Sequence, residues 1–542
     1  MKRYLTAFAV AAVLLAGCIG NGKKGVETGR RGYTDEMELG AARQVYYDRP
    51  MKSDAMLMRT PIVGDDNPER PLDRERYAAR DENAFKDVRI YPTSVFSVDV
   101  DNASYSNVRR FLNNSTLPPP GSVRVEEMIN YFKYDYPAPK GSEPVALNAE
   151  IGTCPWNNAH YLIRLGLKAR EIDTKALPAS NFVFLLDISG SMDEPNKLPL
   201  LVKAFKILLE KLRDEDRVSV VTYASGDSIR CSGVRCTAKG KDSIVNILEH
   251  LQARGYTSGG SAIQKAYSLA VKNFVNGGNN RVILATDGDF NVGISSTAGL
   301  KKLIEEEREK GVFITVLGLG MYNLNDEMMS TIADAGNGNY YYIDNVSEAK
   351  KALGTELWGT VYTVAKDVKI LVDFNPNLVK GYRLIGYEKR LLNNEDFNDD
   401  KKDAGDMGAG HTVTALYELI PASSDEQIGS GGTSTPSEYV QTTPSGDKTN
   451  WLTIKFRYKN PTDTVSQLSQ LKVDGTFLKK QNTNNFKLAS LVAEFGMVLS
   501  DSKYCPVKLS EISNSLKSIP SDDNGYIDEL KVLVRKAADL KE

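Results

Sequence analysis

Residues 182–191 read Phe-Val-Phe-Leu-Leu-Asp-Ile-Ser-Gly-Ser. A strand with one face in water alternates apolar and polar residues, so the unbroken apolar run 182–186 predicts a strand buried on both faces. The run ends on a carboxylate and two hydroxyls, Asp187, Ser189 and Ser191, and Gly190 permits a sharp backbone between the serines. Downstream, Leu198, Leu201, Val202, Phe205, Leu208, Leu209 and Leu212 recur at helical spacing. Strand signals return at 218–223, 281–286, 312–317 and 340–343, with 228–235 as a hairpin partner, and helical signals at 242–251, 261–274 and 298–310. This alternation over 181–360 predicts an α/β domain, a doubly wound, Rossmann-like and mostly parallel sheet.

The flanks read differently. Strand-like runs at 94–100, 145–151 and 161–167 precede the α/β unit, and others at 368–374, 382–387, 411–419 and 451–458 follow it. Short helices are expected at 107–112 and 125–131, an exposed Ser/Thr/Gly loop at 422–449, and amphipathic helices at the end. Domain ends tend to lie close in space. Residues 90–175 and 365–460 are therefore expected to form one β-rich domain interrupted by the α/β domain. The expected boundaries are a signal peptide at 1–17, a flexible tether at 18–88, an N-terminal flanking domain at 89–178, the α/β domain at 179–362, and a β-rich then helical flanking domain at 363–542.

Lys2 and Arg3 precede a short apolar stretch, Thr6–Leu15, too short for a comfortable membrane span. It ends in Leu15-Ala16-Gly17-Cys18, which resembles the bacterial lipobox. That resemblance implies cleavage before Cys18 and a lipid anchor on it. Ile19 rather than Asp follows, which resembles the pattern that sorts lipoproteins to the outer membrane in bacteria with two membranes. The expected location is the bacterial cell envelope, membrane-attached through the lipid, at the end of a polar tether spanning about 45 Å.

Composition narrows the function. A net charge of −2 argues against nucleic-acid binding, and three histidines argue against zinc or His-based catalysis. Export would place the remaining cysteines where disulfides persist. Cys231 and Cys236 are near enough in sequence to staple a hairpin, whereas Cys154 and Cys505 are equally well read as a bridge or as buried thiols.

Three loops of the α/β unit collect oxygen donors: Asp187, Ser189 and Ser191; Thr257; and Thr286-Asp287-Gly288-Asp289. In open α/β sheets, ligands bind beyond the carboxyl ends of strands where strand order reverses. Carboxylates and hydroxyls suit a hard cation, and two facing carboxylates need a positive charge between them. Asp-x-Ser-x-Ser, a central Thr and a later Thr-Asp-Gly together resemble the metal-ion-dependent adhesion site of von Willebrand factor A domains. The resemblance implies that Ser189, Ser191 and Thr257 bind the metal, that Asp187 and Asp287 act largely through water, and that one coordination position stays open for a partner's carboxylate. It implies Mg²⁺, with Mn²⁺ or Ca²⁺ as alternatives.

The wider chain resembles bacterial von Willebrand factor A lipoproteins with characteristic flanking domains. FSVDVDNASYSNVRRFL (96–112), VRVEEMINYFKYDYP (123–137), CPWN (154–157), ILATDGDFNVG (283–293), FNPNLVKGYRLIGYEKRLL (374–392) and DAGDMGAGHTVTALYEL (403–419) carry that resemblance. Asp99 and Asp101 are expected to cap the helix that follows them, with a second cation site as the alternative. Asp522–Gly525 should form a turn before the last helix. The expected function is capture of a protein ligand through the metal rather than catalysis. A structural envelope protein with a fold-stabilising metal and a metal-assisted hydrolase are the alternatives.

Overall fold

The apolar run at 182–186 forms the centre of a six-stranded sheet. Its strand, β5 (Ser180–Asp187), is buried along its whole length. Parallel neighbours flank it, β6 (Arg217–Tyr223) on one side and β8 (Asn279–Thr286) on the other. Beyond β8 lie β9 (Val312–Gly318) and β10 (Tyr340–Tyr342), also parallel, and β7 (Asp227–Arg235) closes the far edge antiparallel to β6. The chain runs outward from β5 through β6 and β7, then returns to the opposite side at β8. Strand order therefore reverses between β5 and β8.

Helices cover both faces. On one, α3 (Leu198–Lys211) and α4 (Ala238–Glu249) pack over Phe184, Leu186 and Val220. On the other, α5 (Ala262–Lys272), α6 (Thr297–Glu309) and α7 (Asp326–Ala335) cover Val183, Leu185 and Leu284. The α4 helix begins four residues before its apolar periodicity suggests, because the Thr237 hydroxyl accepts from Gly240 N and caps it. The unit ends in α8 (Val346–Lys351), a π-helical turn at Ala352–Glu356, and α9 (Leu357–Val361).

The flanks form a β-sandwich in which both sheets mix segments from before and after the α/β unit. One sheet runs β13 (Leu391–Leu392), β2 (Thr93–Ser97), β11 (Thr363–Phe374), β16 (Asn450–Lys459), β17 (Gln467–Asp474), with β14 (Gly405–Gly408) also paired to β11. The other runs β1 (Lys86–Asp87), β12 (Val379–Ile385), β15 (Thr412–Pro421), β4 (Tyr161–Ala169), β3 (Val145–Thr153). Phe96, Ile370 and Phe456 from the first meet Ile163, Tyr382 and Tyr417 from the second in a single core. A third core joins α1 (Ala103–Asn113) and α2 (Val125–Asn130) to the terminal helices α10 (Asn484–Leu499), α11 (Leu509–Leu516) and α12 (Tyr526–Lys541). As expected, a turn precedes α12, where Ile527 N donates to Asp522 Oδ1 at 2.8 Å.

The computed structural model describes residues 75–78, 81–172, 178–257, 261–288, 297–402, 404–428 and 446–541. Cys18 and most of the expected tether lie outside the described residues. Among the described residues, no helix is long and apolar enough to cross a membrane.

Three expectations need correction. Residues 75–78 and 81–88 are engaged by the fold, unlike a tether. Glu75 pairs with Arg110, Arg76 N donates to Leu324 O at 3.0 Å, and β1 pairs with β12. Cys231 and Cys236 are unbonded. β7 bulges at Gly233 between them (φ +60°), with Cys231 opposite Val220 and Arg235 opposite Arg217, three residues apart along β6. Three residues of strand span about 10 Å, more than a disulfide bridges. Cys154 and Cys505 are likewise free and buried. Finally, Asp101 does not cap α1, whose N-cap is Asn102 without a side-chain bond. Asp101 instead accepts from Ser330 Oγ (2.8 Å) and Tyr340 N (3.2 Å), and Arg390 pairs with both Asp99 and Asp101. These carboxylates join the sandwich to the α/β unit.

Candidate metal centre

The reversal between β5 and β8 places Asp187 and Asp287 side by side, one as the last residue of β5 and the other just after β8. Both are fully buried. Asp187 Oδ1 accepts from Ser189 N at 2.9 Å, and Oδ2 accepts from Thr286 Oγ1 at 3.1 Å. These bonds fix the carboxylate and tie the first loop to the third. The hydroxyls of Ser189 and Ser191 lie 3.1 Å apart, the close approach that Gly190 was expected to allow.

The second loop is laced to the first by its backbone. Gly190 N donates to Gly255 O at 2.9 Å, and Arg254 N donates to Ile188 O at 2.8 Å. Thr257 follows directly and is half-buried. Asp289 lies outside the described residues. Beside this site Tyr256 is 88% exposed, its backbone held by a bond from its N to Ser225 Oγ at 3.0 Å.

The third loop needs Gly288. Its φ is +118°, and a Cβ there would stand 2.2 Å from Asn323 O. The chain from 323 to 325 therefore presses directly against the turn that holds Asp287.

Lys197 is a site residue that sequence reasoning passed over. Its side chain is only 3% exposed. Nζ donates to the Ser191 carbonyl at 2.9 Å and to Asp287 Oδ2 at 3.1 Å. A third partner is Glu194, at 3.2 Å. The lysine precedes the helix it belongs to and lies ten residues from Asp187, so no local pattern marks it. Gly320, at φ +75°, leaves room for its stem: a Cβ there would come within 2.2 Å of Lys197 Cε.

The electrostatics leave a deficit. Two buried carboxylates face each other with one ammonium between Asp287 and the first loop. Burial, with Asp287 nearby, pushes Asp187 up to about 6. Asp287 Oδ1 is buried and has no hydrogen-bond partner among the described residues. A buried carboxylate oxygen left unmatched is costly. A further positive charge would relieve both groups, and the hydroxyls of Ser189, Ser191 and Thr257 supply the neutral oxygen donors that Mg²⁺ prefers beside carboxylates. The residues present fit a hard divalent cation. Among the described residues no cluster of three or more His, Cys, Asp or Glu side chains is arranged for a metal, here or elsewhere, so this site would rest on two carboxylates and on hydroxyls.

Comparison with known proteins agrees with this topology. The model of the von Willebrand factor type A domain matches residues 181–355. A second model, described as von Willebrand factor, matches 71–164, and that of the C-terminal region of the uncharacterized protein YfbK matches 359–540. The uncharacterized protein YfbK of Escherichia coli (strain K12) is 42% identical over 438 residues, covering 79% of this chain and 75% of its own length.

The chain belongs to the YfbK family of von Willebrand factor type A domain proteins.

Solved structures include a von Willebrand factor type A protein from Catenulispora acidiphila, similar at 15% identity over 72% of this chain and 89% of its own, with a TM-score of 0.41. Proximal thread matrix protein 1 from the mussel byssus, described as having a zinc-occupied metal-ion-dependent adhesion motif, is 19% identical over 35% of this chain and 46% of its own, with a TM-score of 0.28. The family match over 181–355 makes the α/β unit of this YfbK relative a von Willebrand A fold, set between β-rich flanking segments with a helical C-terminal region. Metal-dependent adhesion motifs on such domains bind divalent cations and commonly mediate protein interactions.

Proposed function

We propose that this chain is a binding protein of the bacterial cell envelope. It recognises a protein partner through Mg²⁺ held by Ser189, Ser191 and Thr257, with Asp187 and Asp287 supplying the negative charge. One observation carries the reading: two fully buried carboxylates meet at the strand-order reversal, and Asp287 Oδ1 is unpartnered among the described residues. When bound, the cation would supply an electrophilic point for a partner's carboxylate.

The neighbouring residues suit recognition. Lys197 adds a positive charge to the site, which favours an anionic ligand, and Tyr256 stands in solvent with its backbone N bonded to Ser225 Oγ. Exposed aromatic residues on fixed backbones are effective anchors for partners. The three histidines lie away from this site, His411 in the lining of a cavity beside α9. His160 bonds Glu418 and Glu426, and His250 bonds the carbonyl of Asn246. The motif at 15–18 supports attachment through a lipid on Cys18, and Ile19 supports the outer membrane where two membranes exist.

Crosslinking in intact cells, with and without chelator, tests the reading. A partner captured by the wild type and lost both on chelation and in Asp287→Ala supports it. Capture that survives both defeats it.

A further inference from the structure

A second concavity borders the α/β unit, outside the metal centre. A cavity of about 380 Å³ opens where its last helix meets α2, β4 and β15. Tyr362, on its wall, is close to Ser180, which begins the strand that Asp187 ends. That strand, roughly 20 Å long, lies between Tyr362 and Asp187. The volume is that of a small-molecule site, and junctions between structural units are common places for one.

The wall is built by an irregularity. The helix from 346 to 361 widens to a π turn at Ala352–Glu356. Such single turns are rare and concentrate at functional sites, because one extra residue re-aims those that follow. Ala352, Leu353 and Leu357 stay in the core while Thr355, Glu356 and Trp358 line the cavity. Trp358 and Tyr362, one turn apart, set their rings 6.5 Å from each other and within 20° of parallel. Phe132 and Tyr134 contribute to the opposite wall.

Two polar atoms here are unmatched. Trp358 Nε1 and Glu356 Oε2 have no hydrogen-bond partner among the described residues, although both are covered by protein. The other oxygen of Glu356 accepts from Lys351. A donor and an acceptor two residues apart, beside flat aromatic faces, ask for a ligand offering both. The lining carboxylates are already met, Glu171 by Lys168 at 3.6 Å and Glu356 by Lys351, and Lys133 is exposed to solvent, so no strongly ionic ligand is favoured. The many polar side chains disfavour an alkyl chain.

We propose that this cavity binds a neutral saccharide, with a pyranose ring against Trp358 and Tyr362 and its hydroxyl or acetamido groups matched to Trp358 Nε1 and Glu356 Oε2. The site is separate from the metal centre and does not depend on it.

The test is calorimetric titration of the full chain with chitotriose, cellotriose and maltotriose, alongside tryptophan fluorescence. At least one sugar should bind saturably at one site and perturb the emission. Affinity should fall at least tenfold in Trp358→Ala and in Glu356→Gln, the second variant leaving the aromatic packing intact. Chelator should have no effect. Failure of all three sugars to bind overturns the proposal. So does sugar binding that both variants retain, or saturable binding of free indole or adenosine in place of the sugars.

Discussion

Lys197 Nζ lies 3.1 Å from Asp287 Oδ2 and 2.9 Å from the Ser191 carbonyl, so one buried ammonium joins the first and third loops of the metal centre. It is the resident cation of the site. Its charge offsets one of two carboxylates, leaving the rest to a divalent ion.

Removing that ammonium should be felt most without metal. Lys197→Met keeps the stem and deletes the charge, leaving Asp187 and Asp287 with no cation between them. Breaking a buried pair typically costs about 3–5 kcal/mol. The variant should melt well below wild type in chelator, and Mg²⁺ should raise its melting temperature by more than it raises that of the wild type. Equal melting of the two proteins in chelator would contradict the role given to Lys197.

Asp187 sets a pH dependence. Burial raises its carboxyl to about 6, so below that pH the metal-free site holds a proton that a cation must displace. Mg²⁺ affinity should be level above about pH 7 and fall by up to tenfold per unit below 6. Because the folded value lies above the ordinary one, the same group makes the metal-free fold relatively more stable as pH drops from 6 toward 4. Titrations across pH 5–8 check both, and an affinity that is flat through pH 5 excludes Asp187 as a participant.

Gly288→Ala should disrupt the third loop. Its φ of +118° disfavours any side chain, and the added Cβ would press on Asn323 O. A loss of about 2–3 kcal/mol is expected by denaturant unfolding, together with weaker metal binding. Wild-type stability and affinity in this variant would show that the loop does not need the close approach.

Much of this was legible in the residues themselves. Apolar runs such as Phe182–Leu186 need both faces covered, which is a strong local signal, and the oxygen donors sit directly after such runs. What was hidden depends on contacts far apart in sequence. Lys197 looks like an ordinary residue before a helix, and only the fold turns it toward Asp287. Asp101 resembles a helix cap until Arg390 and Ser330 arrive from distant segments. β17 (QLSQLKVD) is a largely exposed edge strand with little apolar pattern, and it was not anticipated. Glu75 reads as linker because its partner Arg110 lies 35 residues on.

Glu494 tests the helical flank independently. It is 4% exposed on α10, and burial, with Glu511 nearby, raises its carboxyl to about 7 from an ordinary 4.5. A raised acid pKa means the fold loses stability as pH climbs through that interval, with the full penalty above pH 7. Glu494→Gln should therefore stabilise the protein at pH 8 by on the order of 2 kcal/mol and have little effect at pH 4.5. Chemical denaturation at the two pH values checks this, and a variant no more stable at pH 8 would contradict it.

The central claim is that the loops after β5 and β8 hold a divalent cation. Calorimetric titration of the full chain with Mg²⁺ at pH 7.5 tests it most directly. One ion per chain should bind to the wild type, with binding abolished in both Asp187→Ala and Asp287→Ala while each variant remains folded by circular dichroism. No binding by the wild type, or binding that persists in the two folded variants, would contradict it.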